Sequence, residues 1–312
     1  MIVRRTLKWR VIVRYSYRFL LYALATSGAA YVTRVTLGLE SAWIPFSVVA
    51  LLGTALAIFV AFRNNSSYDR WWEARKIWGG IVNSSRNWGR QVVSLVDASV
   101  LDGAAEPAAV DEVRRELIYR HLAWVNTLRL QLRNQQDWKV LEPFLEADEL
   151  EDLDGRANRA TQLVRRQGER LVELLQTDAP ATLRLQQLEG TLSELYNLQG
   201  QAERIKNTPF PRQYDYFTRV FVYVFTLLLP FGLVEMFLEH NAPWLILPVT
   251  VVVCYMFWVL QNVARLNEDP FENRIQDTPM SALSRTIEID LRDMLGEKDL
   301  PPRLLPKDGF LF

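Results

Sequence analysis

Apolar residues gather toward the two ends of the chain, and charge fills the middle. Ile44 to Phe62 and Ala242 to Val263 contain no Asp, Glu, Lys or Arg. A bilayer-spanning helix needs roughly 20 largely apolar residues, so both runs predict spans. Phe19 to Leu39 predicts a third. Its Arg34 lies near the outer end, where a long cationic side chain can reach the interface. Val220 to Val234 predicts a fourth. It is short and holds Pro230 and Gly232, which spans tolerate when neighbours satisfy the freed backbone. The alternative, buried helices of a soluble protein, fits uncharged runs of this length poorly. Residues 1–18 do not read as a cleaved signal peptide, because no small-residue cleavage site follows and a second span comes at once.

Residues 63–215 lack a comparable run and read as amphipathic helices. Arg114 to Arg133 sets Leu117, Ile118, Leu122, Val125 and Leu128 at helical spacing among basic residues. Thr161 to Leu175 and Thr182 to Leu198 repeat the style. Breaks are expected at Asp102–Pro107, at the acidic stretch Glu146–Asp154 and at Thr177–Pro180. The tail from Asn267 is polar, with one helical stretch, Ser281 to Leu295. Pro301, Pro302 and Pro306 predict an extended end. No strand pattern or fixed-period repeat persists. The division expected is 1–62 (N-terminal segment and two spans), 63–215 (helical domain), 216–263 (two spans) and 264–312 (tail).

Basic residues near the span ends orient the chain. Arg4, Arg5, Lys8, Arg10 and Arg14 precede the first span, and Arg63, Arg70, Arg75 and Lys76 follow the second. Arg204, Lys206, Arg212 and Arg219 precede the third, and Arg265 follows the fourth. The connections Gly38–Trp43 and Glu239–Pro243 hold no Lys or Arg. The positive-inside rule puts both termini and the middle segment in the cytosol. Trp43 and Trp244 fall where outer interfacial aromatics are expected.

Composition narrows the chemistry. With 36 basic and 36 acidic residues, the chain lacks the basic excess of a nucleic-acid binder, and no nucleic-acid partner is expected. A single cysteine, Cys254, excludes an internal disulfide. With only His121 and His240 beside it, a Cys/His zinc site of about four ligands is nearly excluded. No P-loop, GxGxxG, HExxH or nucleophile elbow occurs. His121 sits within an amphipathic helix and reads as a structural residue. The acids from Glu142 to Asp152 match no EF-hand and read as a solvated segment. An enzyme is therefore not expected, and neither is a cofactor or metal.

The informative stretch is Pro45 to Arg90. Pro45 suits a helix start. Thr54, Ile58 and Phe62 then recur at i, i+4 and i+8 on one face, while Gly53, Ala55, Ala57 and Ala61 allow close helix approach. Copies of this helix around an axis would give rings of Thr, Ile and Phe, and an apolar ring can gate by dewetting. Periodicity alone reads first as an ordinary packing face.

The run FRNNSSYDRWWEARKIWGGIVNSSRNW (Phe62–Trp88), directly after a span that opens IPFS, resembles the bestrophin family, specifically its bacterial branch. Glu203-Arg204-Ile205 with Thr208-Pro209-Phe210-Pro211 agrees, ahead of the span holding Leu229-Pro230-Phe231-Gly232. So do Asp269-Pro270-Phe271, Asp277-Thr278-Pro279 and Ser284-Arg285-Thr286-Ile287-Glu288. The matches lie in order over most of the chain, and residues 97–200 carry little of them.

The resemblance implies an all-α membrane protein with four transmembrane helices per subunit and a cytosolic helical bundle. It implies a homopentamer around one central pore, in contact with membrane lipid, multi-pass in the bacterial inner membrane. By position, the family's hydrophobic neck falls on Thr54, Ile58 and Phe62. Thr54 is less bulky and apolar than the family position expects, so the outer ring is expected to be wetter. A second, cytosolic constriction is placed near Leu183 or Leu185. The calcium-binding acidic run of animal bestrophins has no counterpart in Glu272–Gln276, so animal-type calcium gating is not expected. The permeant species are expected to be monovalent ions. Animal members conduct anions, and the bacterial branch includes cation conductors. Glu40, Glu235 and Glu239 near the outer mouth, opposed by Arg34, lean the reading to cations. A chloride channel of the same architecture is the alternative, and a membrane-anchored helical scaffold is the rival of another class.

Overall fold

The structure is a computed structural model that describes residues 1–4, 9–97, 106–174 and 179–312. Arg5, Lys8 and the parts of the expected breaks at 98–105 and 175–178 lie outside the described residues. Nine α-helices account for most of the rest: α1 Trp9–Tyr31, α2 Phe46–Leu95, α3 Pro107–Leu132, α4 Ala147–Leu153, α5 Arg159–Leu174, α6 Ala179–Asn207, α7 Arg212–Glu239, α8 Ile246–Asn267 and α9 Met280–Met294. The only extended pairings among the described residues are isolated bridges, Ile2 to Phe310 and Lys307 to Phe310.

The chain forms two compact units. One holds residues 4–71 and 209–269, the other 1–3, 72–208 and 270–312. The changeover falls within α2 at Trp71/Trp72, because that helix continues unbroken past the apolar run ending at Phe62.

In the apolar unit α1 packs on α7 and α8, and α7 on α8. Its core joins Phe19, Val49, Leu56, Val60, Val222, Phe225, Leu229, Leu233 and Cys254. Glycines let α2 and α7 approach: a Cβ on Gly232 would stand 2.8 Å from Val49 Cγ2, and one on Gly53 2.9 Å from Phe225 Cε2. Pro230 lies inside α7 and has no N–H for the Thr226 carbonyl four residues back. The Thr26 hydroxyl of α1 reaches that carbonyl at 3.2 Å while sharing its proton with Ala23 O at 3.0 Å, a partial replacement of the kind that lets spans tolerate proline.

Three described helical segments are long and apolar enough to cross a membrane: α2, α7 and Pro243–Asn267. The segment expected from Phe19 to Leu39 is not among them. Its helix begins earlier, at Trp9, carries Arg14 and Arg18, and loosens into a π-turn at Val32–Thr36.

In the polar unit the apolar stripe of α3 is buried as its spacing predicts, with Leu117, Ile118, Leu122, Val125 and Leu128 all inaccessible. They pack with Trp78, Trp88 and Trp124 and with the inward faces of α5, α6 and α9. The acidic stretch Glu146–Asp154, expected as a break and a solvated segment, contains helix α4. Asp148 and Glu149 occupy its first turn, where the helix dipole favours acids. Arg120 and Arg166 pair with Glu149, and Arg156 and Arg166 with Asp152. α9 occupies nearly the predicted tail helix, and Val3 N–H donates to Gly309 O at 3.0 Å.

Candidate pore-lining site

α2 begins directly after Pro45, whose carbonyl accepts Val48 N–H at 3.0 Å. Val49, Leu56, Val60, Arg63 and Ser67 face inward and are buried. These positions are seven, four, three and four residues apart, so one stripe of the helix meets the core of its own unit. Thr54, Ile58 and Phe62 lie half a turn away on the opposite stripe. Ile58 is 56% exposed and Phe62 70%. Thr54 is exposed too, and its hydroxyl donates to Ala50 O at 2.9 Å, turning the proton into its own helix. The three predicted neck residues therefore share one face, and that face meets nothing in the subunit's own core.

The proposed cytosolic constriction divides. On α6, Leu183 is 65% exposed, whereas Leu185 packs against the core of the polar unit. The outer acids divide as well. Glu40 and Glu239 are exposed, and Glu235 is paired with Arg34.

One arrangement was missed in the sequence. Arg63, next to Phe62, is fully buried and clamped by acids from two other segments. Its Nε and Nη2 donate to Glu268 Oε1 at 3.0 and 2.6 Å, and Nη2 also reaches Asp215 Oδ1 at 2.7 Å. Two turns further on, Arg70 Nε donates to the Glu268 backbone carbonyl at 2.6 Å. Burial raises the Glu268 pKa, and Arg63 opposes the rise. One signal was available: Arg63 directly follows an uncharged run and falls on the buried stripe with Leu56 and Val60.

The chain is thus a helical protein with membrane-length apolar helices and an apolar face on the longest of them that its own core leaves uncovered. The Bacterial/Fungal Bestrophin protein family matches residues 2–293, and the chain belongs to this family, which comprises ion channels and not enzymes. Relatives agree across the length. The voltage-dependent anion channel-forming protein mll4386 of Mesorhizobium japonicum is 34% identical over 84% of this chain and 78% of that one. The similarly described YneE of Escherichia coli is 31% identical over 97% of this chain and 95% of that one. A crystal structure of a single-residue variant of a bacterial bestrophin homologue from Klebsiella pneumoniae superposes with TM-score 0.76 at 27% identity, covering 89% of this chain and 98% of that one.

Proposed function

We propose that the chain assembles as a homopentamer in the bacterial inner membrane and conducts small monovalent ions through a central pore. One observation carries this reading: Thr54, Ile58 and Phe62 form an exposed face diametrically opposite the stripe that α2 buries in its own subunit. Turned toward an axis, that face makes a narrow apolar neck, where water withdraws and ions pass only when it widens. Four spans per subunit, with α1 as the first, put both termini and residues 63–215 in the cytosol. Leu183 is the better candidate of its pair for the cytosolic constriction.

The ion is proposed to be an anion. Relatives described as anion channel-forming favour that sign, and the lean to cations loses one of its three acids, because Arg34 neutralises Glu235. The scaffold reading has no support in a family of channels.

The test is flux and reversal potential of purified protein in liposomes under asymmetric sodium chloride, with native mass spectrometry of the same sample. A pentamer whose reversal potential follows the chloride gradient supports the proposal. A monomer or dimer would remove the pore, and a potential that follows sodium would reverse the sign.

A further inference from the structure

Several partly or fully buried arginines of the polar unit have a carboxylate in contact. Arg120 holds Glu116 and Glu149, Arg166 holds Glu149 and Asp152, and Arg292 holds Glu288 and Glu297. Arg129 and Arg133 have no ion pair among the described residues. They stand one turn apart, Arg129 in the last turn of α3 and Arg133 capping it, and bring Nη1 to a single neutral hydroxyl, Ser281 Oγ on α9, at 3.4 and 2.6 Å. Arg129 Nη2 also donates to Asn126 Oδ1 at 3.2 Å. The Nε of each is buried and lacks a partner.

We propose that Arg129, Arg133 and Ser281 form a binding site for a small inorganic oxyanion of the phosphate class. Two adjacent like charges, one buried and one partly so, normally require a counterion, and a guanidinium fork matches a tetrahedral oxyanion in shape as well as charge. Ser281 accepts from both arginines, so its own proton is available to a ligand. Ser284, one turn along α9, and Thr278, just before the helix, have buried hydroxyls with no partner. Ser281 also lies in the first turn of α9, where the dipole favours an anion, while the N–H groups of Met280, Ala282 and Leu283 around it are taken by the Thr278, Phe312 and Pro279 carbonyls.

Among the described residues the neighbouring acids do not pair with either arginine. Asp277 acts on Arg133 and Asp137 on Arg129, both at a distance. Asp277 Oδ2 accepts Arg274 N–H at 2.9 Å, and burial raises its pKa. Arg285 adds a positive field to Arg129 and is itself paired with Glu288. Burial, and then the charge of Arg129, push Arg133 down to about 10. A bound oxyanion would restore both arginines and tie α3 to α9.

The experiment is thermal melting of the purified full chain in detergent, titrating sodium phosphate against sodium gluconate at matched ionic strength. The expected result is a saturable rise in melting temperature with phosphate. The rise should be absent in Arg129→Gln and Arg133→Gln and retained in Arg204→Gln, which removes only an exposed pair with Glu73. Ser281→Ala keeps both arginines and should move the midpoint about tenfold to higher phosphate, one charge-assisted hydrogen bond lost. If an arginine variant fails to fold, the wild type and Ser281→Ala still decide. A rise that never saturates, or that is equal in wild type and Ser281→Ala, overturns the site. Saturation with sodium chloride and none with phosphate overturns the oxyanion assignment.

Discussion

Arg63 grips one carboxylate oxygen of Glu268 with two donors, although 205 residues separate them. Phe62, its immediate neighbour, points the other way into the open. The clamp therefore fixes the rotation of α2 at the residue beside the proposed neck. Removing one partner of a buried ion pair leaves the other charge uncompensated and costs about 3–5 kcal/mol. Arg63→Ala should destabilise the protein by that amount, and Glu268→Gln by less, since Asp215 still holds the guanidinium. Melting curves of the two single variants and the double variant form a cycle. Coupling near zero would show that the pair does not hold the helix.

Stability should fall with acid through His121. Its ring is enclosed, lies beside Trp124 and Trp88, and meets Ser85 Oγ at 2.9 Å through Nε2. Ser85 directs its proton to Ile81 O at 2.6 Å, so Nε2 is the donor and Nδ1 carries none. A second proton would sit on a buried nitrogen, and burial lowers the pKa to about 3. The unfolded chain takes that proton near pH 6.5 and the folded chain does not. The contribution is therefore neutral above about pH 6.5 and becomes a loss of about 1.4 kcal/mol per pH unit on descending toward 3. His121→Gln should flatten the decline of melting temperature between pH 6 and 4. An unchanged slope would place the acid sensitivity elsewhere.

The outer acids should act unequally on ion preference. Glu40 and Glu239 are exposed and have no ion pair among the described residues, whereas Glu235 is matched by Arg34. Glu40→Gln with Glu239→Gln should raise anion permeability relative to cations, because uncompensated acids at a mouth concentrate cations. Glu235→Gln should leave the preference nearly unchanged and cost about 1 kcal/mol or less, as a partly exposed pair does. Reversal potentials under asymmetric salt measure both. Equal shifts from all three positions would mean that Arg34 does not shield Glu235.

What the sequence disclosed and withheld follows from the range of the interactions. The uncharged runs were legible because a span is a local property, and so was the buried face of α3. The three-residue face of α2 was legible from spacing, but its openness was not, since periodicity cannot distinguish a packing face from a lining face. Arg63 with Glu268, and Arg129 with Ser281, join residues distant in the chain, and no local pattern announces them. Helix α4 looks like a break in the sequence because its acids look solvated, and the arginines that neutralise them come from α3, α5 and the loop after α4. The Phe19–Leu39 run is bounded by composition, which cannot see that the helix begins at Trp9 and gives way to a π-turn at Val32.

Ile58 and Phe62 distinguish a pore from a packing face most directly. In the subunit they are 56% and 70% exposed, so truncating them removes little buried surface. An apolar ring offers an ion no hydrogen bonds, so stripping its water there goes uncompensated. Ile58→Ala with Phe62→Ala should widen and wet the neck and raise flux, while ion preference stays the same because no charge changes. Stability should move by no more than about 0.5 kcal/mol, as at other exposed sites. If the face instead packs against a neighbouring helix in the assembly, each truncation should cost about 2–5 kcal/mol, as in a core, and flux should not rise. Leu56→Ala, on the buried stripe, is the control: it should show that core penalty in either case. Flux and melting temperature measured on the same preparations separate the outcomes. Unchanged flux from a fully assembled but destabilised double variant would assign this face to packing and move the neck elsewhere.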